Sequence, residues 1–134
     1  MIKTYERPQV MYSLDIGSAN DDFFKSHASM MFLAKEVSKL VGGCTLIDSI
    51  GYWADVDRAD RPDYQDVGIG MENNVQLQVK AELGKEHDLE IIIVKSFVAI
   101  SEKWSELGIN WVCGHKVTKE GLTVSFNFSV EENK

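Results

Sequence analysis

The stretch Gly42–Met71 narrows the choice of fold more than any other part of the sequence, because it predicts a β-hairpin whose two faces differ chemically. The segments Cys44–Val56 and Asp63–Met71 alternate with the period of two that is typical of strands, and a charged loop, residues 57–62, joins them. The apolar face carries Leu46, Ile50, Tyr52, Ala54, Val56, Val67, Ile69 and Met71. The other face carries mainly small, hydroxyl, aromatic and acidic side chains: Thr45, Ile47, Ser49, Gly51, Trp53, Asp55, Tyr64, Asp66, Gly68 and Gly70. We interpret this second face as the floor of a small-molecule site.

Strands and helices are predicted on both sides of this hairpin. Val10–Gly17 alternates and predicts a first strand, and residues 18–41 predict a helix with polar capping residues at its start. After the hairpin, Asn73–Leu83 predicts a second helix, although residues 75–79 also alternate as a strand would. Leu89–Ile100 is apolar on both faces, which predicts a central strand covered on both sides.

The C-terminal part predicts a second hairpin, with strands at Ile109–Val117 and Leu122–Val130. The order β-α-β-β-α-β with an appended hairpin predicts an α+β, ferredoxin-like antiparallel sheet with two helices on one face. We expect a single domain over residues 1–134, with a core at about 9–101 and the C-terminal β-hairpin at about 109–130. Because the second face of such a sheet is bare, we expect another subunit to cover it.

The charge balance argues against some classes of protein. The 134 residues include 21 acidic and 14 basic side chains, which gives a net charge of −7. Direct nucleic-acid binding is not expected, since it needs a basic surface, but an acidic surface that imitates nucleic acid is compatible with this charge. The sequence has no run of about 18 apolar residues and no export signal, so we expect no membrane span and a cytoplasmic location.

The sequence contains no strong catalytic or metal-binding motif. His27, His87 and His115 are scattered over different predicted elements, and their spacing predicts no metal site. Cys44 and Cys113 are too few to predict a disulfide framework, and we expect both to be reduced.

Several short motifs nevertheless occur in the order found in one family. They are the opening strand MYSLDIGSA at residues 11–19, an Asp-x-x-Gly-x-aromatic pattern at residues 48–53, an acid four residues before a valine (Asp63 before Val67), and Val94-Lys95-Ser96. With these features, which span about residues 11 to 100, the chain resembles the phage-encoded S-adenosylmethionine (SAM) lyases, formerly called SAM hydrolases.

The resemblance implies a ferredoxin-like subunit that assembles as a trimer, with sites between subunits. It implies conversion of SAM to methylthioadenosine and homoserine lactone without a metal or other cofactor. In an infected bacterial host, such an enzyme removes the methyl donor and cofactor of restriction and related defences.

The resemblance also implies roles for particular residues. Asp63 and Tyr52 are the expected catalytic residues, and an alternative alignment places the key acid at Asp66. The expected substrate-binding residues are Trp53, Gly51, Ser49, Asp66, Lys95 and Ser96. The chain departs from the family at two of these positions, since Trp53 stands where the family has a tyrosine and Asp63 where it has a glutamate.

These departures leave a second class of function open, a non-enzymatic antidefence protein. Such a protein would be an acidic DNA mimic, or a sponge that binds a nucleotide-like signal on the same sheet face. The acidic residues are spread along the chain and do not form a regular row like that of phosphates, which disfavours the mimic.

Overall fold

The computed structural model describes residues 1–4, 7–18, 23–54, 69–109 and 111–130. Its elements are, in chain order, β1 (Gln9–Gly17), α1 (Phe23–Val41), β2 (Thr45–Ala54), β3 (Ile69–Glu82), α2 (Glu86–Lys103), a 3-10 turn (Ser105–Leu107), β4 (Trp111–Val117), β5 (Thr123–Ser125) and β6 (Phe128–Ser129). The strands form one antiparallel sheet in the order β2-β3-β1-β4-β5, and β6 also pairs with β4. Across these described ranges, no helix is both long and apolar enough to cross a membrane.

The hydrophobic core lies between one face of the sheet and the two helices, which also pack against each other. In β1, alternate residues are buried, as the period of two predicted: Val10, Tyr12, Leu14 and Ile16. Helix α1 buries Met30, Leu33 and Val37 against them, and α2 buries Leu89, Ile93, Phe97 and Ile100. The fold is therefore α+β and ferredoxin-like, with both helices on one face, as predicted.

The predicted second helix at Asn73–Leu83 is wrong, because residues 73–82 continue β3 to its end at Glu82. Strand β3 lies in the middle of the sheet and pairs with β1 on one side and β2 on the other. The period of two in its apolar residues fits a strand, because Leu77, Val79 and Ala81 are all buried against the helices.

The predicted central strand at Leu89–Ile100 is also wrong, since this segment forms most of α2. Its buried residues recur at the spacing of a helix face, and acidic residues lie in its first turn with Lys103 in its last, which suits the helix dipole. The run looked like a doubly buried strand because its outer face also carries apolar residues, namely Ile91, Val94 and Val98, each about two fifths exposed.

The fourth strand of the ferredoxin-like order comes from β4, which was predicted as the first strand of the C-terminal hairpin. It pairs with β1 over residues 112–117. The C-terminal hairpin is therefore part of the main sheet. The predicted order of elements is confirmed, although the second helix and the last strand of that order each lie later in the chain than predicted.

Candidate functional site

The open face is the side of the sheet that α1 and α2 do not cover. The pairing register arranges its residues in rows that cross the strands. One row contains Thr45, Gln78, Ser13 and His115, the next contains Ile47, Gln76, Asp15 and Cys113, and the third contains Ser49, Asn74 and Gly17. We call the third row the glycine row. Apart from Ile47, these three rows are polar or small, as the predicted floor required.

The structure places both predicted floor residues of β2 with described side chains, Ser49 and Gly51, at open-face positions. It also inserts β3 between β1 and β2, so Asn74 and Gln76 join the floor. Sequence reasoning missed these two residues because it assigned their segment to a helix. The alternation of Val75, Leu77 and Val79 was the signal that could have found them.

Beyond Gly17, β2 and β3 extend past the end of β1 as a two-stranded ribbon. Trp53 pairs with Gly70 in this ribbon, at a position that alternates in step with Ser49 and Gly51. Tyr52 occupies an intervening position, on the other face, and its side chain is 70% exposed. Tyr52 was predicted on the apolar face of the hairpin, and its exposure shows that the helices of the same chain do not cover it.

A chain of side-chain amides ends at the carboxylate of Asp15 on the open face. Gln78 Nε2 donates to Oε1 of Gln76 at 3.0 Å, and Gln76 Nε2 donates to Oδ1 of Asp15 at 3.2 Å. These hydrogen bonds orient the carboxylate at the row next to the glycine row.

Lys95 and Ser96 lie on α2, which corrects their predicted place in the last strand. Ser96 is 5% exposed, and its hydroxyl donates to the carbonyl of Ile92 at 2.7 Å, as a hydroxyl buried within a helix commonly does. Lys95 is exposed on the same helix. Since α2 packs on the covered face, the structure does not bring either residue to Ser49 and Gly51. Asp63 and Asp66 lie outside the described residues.

The covered face has its own group of polar residues, where Lys116 of β4 contacts Glu90 of α2. Tyr12 is fully buried, and no described group hydrogen-bonds its hydroxyl. Burial, followed by the nearby carboxylates of Glu90 and Glu86, raises the pKa of this phenol. Lys116 lies over the ring, 5.9 Å from its centroid, and its Nζ is 3.1 Å from Oε1 of Glu90.

A cleft of about 370 Å³ lies beside this group and is lined by Glu86, Lys116, Lys119 and Glu120, among others. Because acidic and basic side chains both line the cleft, it has no clear preference for an anionic or a cationic ligand. Within the described ranges, no group of three or more His, Cys, Asp or Glu side chains could hold a metal ion.

Comparison with known proteins gives a match in fold but none in sequence. No protein-family model matches the chain, and no curated protein matches it. Among solved structures, the chain is similar along its whole length to structures of phage SAM lyase. One is a phage SAM lyase in complex with S-methyl-5'-thioadenosine, with a TM-score of 0.60 and 11% identity, covering 100% of this chain and 99% of that one.

A second structure, a phage SAM lyase in the apo state, has a TM-score of 0.59 and 8% identity, with 100% of both chains covered. The chain therefore has the fold of the phage SAM lyases. The predicted resemblance to the phage SAM lyases is confirmed at the level of the fold.

Proposed function

We propose that this protein is a SAM lyase that holds its substrate on the open face, near the glycine row. The observation that carries the proposal is the full-length likeness in fold to phage SAM lyase, including a complex with S-methyl-5'-thioadenosine. The small and polar residues of the glycine row support it, because they leave room for a ligand against the sheet.

The proposed reaction needs a shaped site more than a base. A carboxylate oxygen of the substrate attacks its own γ-carbon, so a C–O bond forms. The C–S bond breaks, and its electron pair stays on sulfur, which becomes the neutral thioether of methylthioadenosine. One carboxylate and one sulfonium charge disappear together, and a site with little water favours such a step. Holding the substrate chain folded supplies the proximity of oxygen and carbon.

The proposed site lies between subunits of a trimer. In one chain, Tyr52 is on the opposite face from Ser49 and Gly51, so a ligand that contacts all three must lie between two copies. Exposed apolar side chains on the open face, Met11 and Ile47, support a second copy as the cover. We assign Tyr52 and Trp53 to the wall around the adenosine, and Asp63 or Asp66 to holding the substrate.

In its biological setting, the proposed enzyme acts in the cytoplasm of an infected bacterium. Removing SAM would deprive restriction and related defence systems of their methyl donor and cofactor. The low sequence identity to the similar structures makes this role part of the proposal.

Chromatography of a SAM incubation tests the proposed function. We expect purified protein to form methylthioadenosine and homoserine lactone in equal amounts, with EDTA present. The variants Asp63→Asn and Asp66→Asn decide which acid is required, because only the required one loses turnover. Intact SAM after incubation with excess protein would overturn the lyase, and tight SAM binding without product would favour the sponge.

A further inference from the structure

Asp15 lies at the centre of the open face and is oriented by Gln76, which Gln78 orients in turn. Gln76 donates to Oδ1 of the carboxylate, which leaves Oδ2 able to accept a hydrogen bond from a ligand. Two amide dipoles in series thus fix a negative charge on the open face.

The described neighbours of this carboxylate supply no permanently charged cation. Among the described positions of its own row and the two adjacent rows, none carries Lys or Arg, and the adjacent row contains one histidine, His115. Lys80, the next open-face lysine of β3, is four residues beyond Gln76, or about 13 Å along the strand. An oriented carboxylate without a lysine or arginine neighbour is suited to a cation that arrives with a ligand.

We propose that Asp15 binds the α-ammonium of the amino-acid part of the ligand, with Gln76 as a positioning residue. This inference rests on the proposed function. The ammonium fits the reaction better than the sulfonium, because the sulfonium charge is lost as the C–S bond breaks. A carboxylate beside the sulfonium would stabilise the ground state more than the transition state and so slow the step. The ammonium keeps its charge in the lactone.

The register supports this placement. The row of Asp15 and the glycine row are about 7 Å apart along the strands. An adenosine lying over Gly17 and Asn74 would direct its sulfur and aliphatic chain along the strands, and that chain can span one row spacing to Asp15. Asp15 thereby determines specificity for an amino-acid-bearing nucleoside over a plain one.

Calorimetry with two unreactive ligands tests the assignment. S-adenosylhomocysteine carries the ammonium but no sulfonium, and methylthioadenosine carries neither. We expect Asp15→Asn to weaken S-adenosylhomocysteine binding about tenfold or more and to change methylthioadenosine binding less than about twofold. Gln76→Leu should lower the ratio of S-adenosylhomocysteine affinity to methylthioadenosine affinity by a smaller factor than Asp15→Asn does, since it removes only the orienting hydrogen bond.

Asp48→Asn is the matched control, because Asp48 is also an exposed carboxylate on a strand but lies on the opposite face of the sheet from Asp15. The register places Asp48 in the same row as Ile16, which is buried on the covered face. It should leave both affinities unchanged. If the wild type binds both ligands and Asp15→Asn leaves their ratio unchanged, or tightens S-adenosylhomocysteine, the inference is wrong while the proposed function stands. A wild-type chain that binds neither ligand overturns both.

Discussion

At the scale of single residues, Gly114 shows how closely β4 approaches β1. A Cβ at this position would meet the carbonyl oxygen of Ser13 and, at 2.5 Å, Cδ2 of Leu14. Because the first of these is backbone in a paired strand, it cannot move aside without breaking the ladder. We predict that Gly114→Ala lowers the free energy of unfolding by about 2 kcal/mol or more, as overpacking does.

Urea denaturation measures this loss, and Gly43→Ala is the control. An added Cβ at Gly43 meets nothing within 4 Å, and its φ is not left-handed. Unfolding of both variants at the same urea concentration would contradict the predicted clash of a Cβ at position 114 with β1.

Tyr12 gives a prediction on pH. Burial and the nearby carboxylates raise its pKa in the folded state, whereas the unfolded phenol ionises near its ordinary value of about 10. The contribution of the buried neutral phenol to the free energy of unfolding is therefore fully present below pH ~10 and is lost as the pH rises above that value. Tyr12→Phe keeps the ring contact with Phe126 and removes the titrating group.

We expect the unfolding free energy of Tyr12→Phe, relative to the wild type, to rise by about 1 kcal/mol between pH ~9 and pH ~11. Chemical denaturation at the two pH values measures the difference. Parallel pH profiles for the two proteins would contradict the effect of burial on this phenol.

At the scale of elements, the ion pair between Lys116 and Glu90 joins β4 to α2. Their side chains are only 26% and 23% exposed. Removing the ammonium leaves a half-buried carboxylate without its partner, so we predict that Lys116→Met costs about 1–2 kcal/mol of unfolding free energy. The exposed pair of Lys119 and Glu120, 3.9 Å apart, is the control. Lys119→Met should cost less than about 0.5 kcal/mol, and equal losses would contradict this account.

Elements also show where sequence reasoning succeeded and failed. The alternation of Val10–Gly17 predicted its buried face correctly, because β1 pairs on both sides and its two faces differ sharply in polarity. The segment at 89–100 failed because apolar residues on both sides of α2 hide the helical period. The segment at 75–83 failed because valines four residues apart fit a helix and a strand alike.

The site was predictable to the same extent as the strands. Ser49 and Gly51 reached the open face because β2 alternates as expected. Lys95 and Ser96 did not, since their motif lies on a helix of the covered face. Asn74 and Gln76 were missed because their segment was predicted as a helix, and their place on the open face follows from the pairing of β3 with β1 and β2.

At the scale of the whole molecule, the open face predicts self-association. We expect light scattering to give three times the 15.1 kDa of one chain. Ile47→Lys places an ammonium on the open face and should shift the protein to monomer, because a buried charge needs a partner. Val98→Lys changes an equally exposed residue of α2 (41% against 39%) and should leave the trimer intact. A monomeric wild type, or the same mass in solution for both variants, would contradict the prediction that another subunit covers the open face.

The proposed ligand site lies on the open face near the glycine row. Titration of the 15N-labelled protein with methylthioadenosine, followed by amide chemical shifts, locates the bound ligand. We expect the largest shifts at the amides of Gly17, Ser49 and Gly51, with little change at Val94 and Val98 on the outer face of α2. Shifts confined to α2 or to the cleft at Lys119, with the glycine row unchanged, would contradict the proposed site.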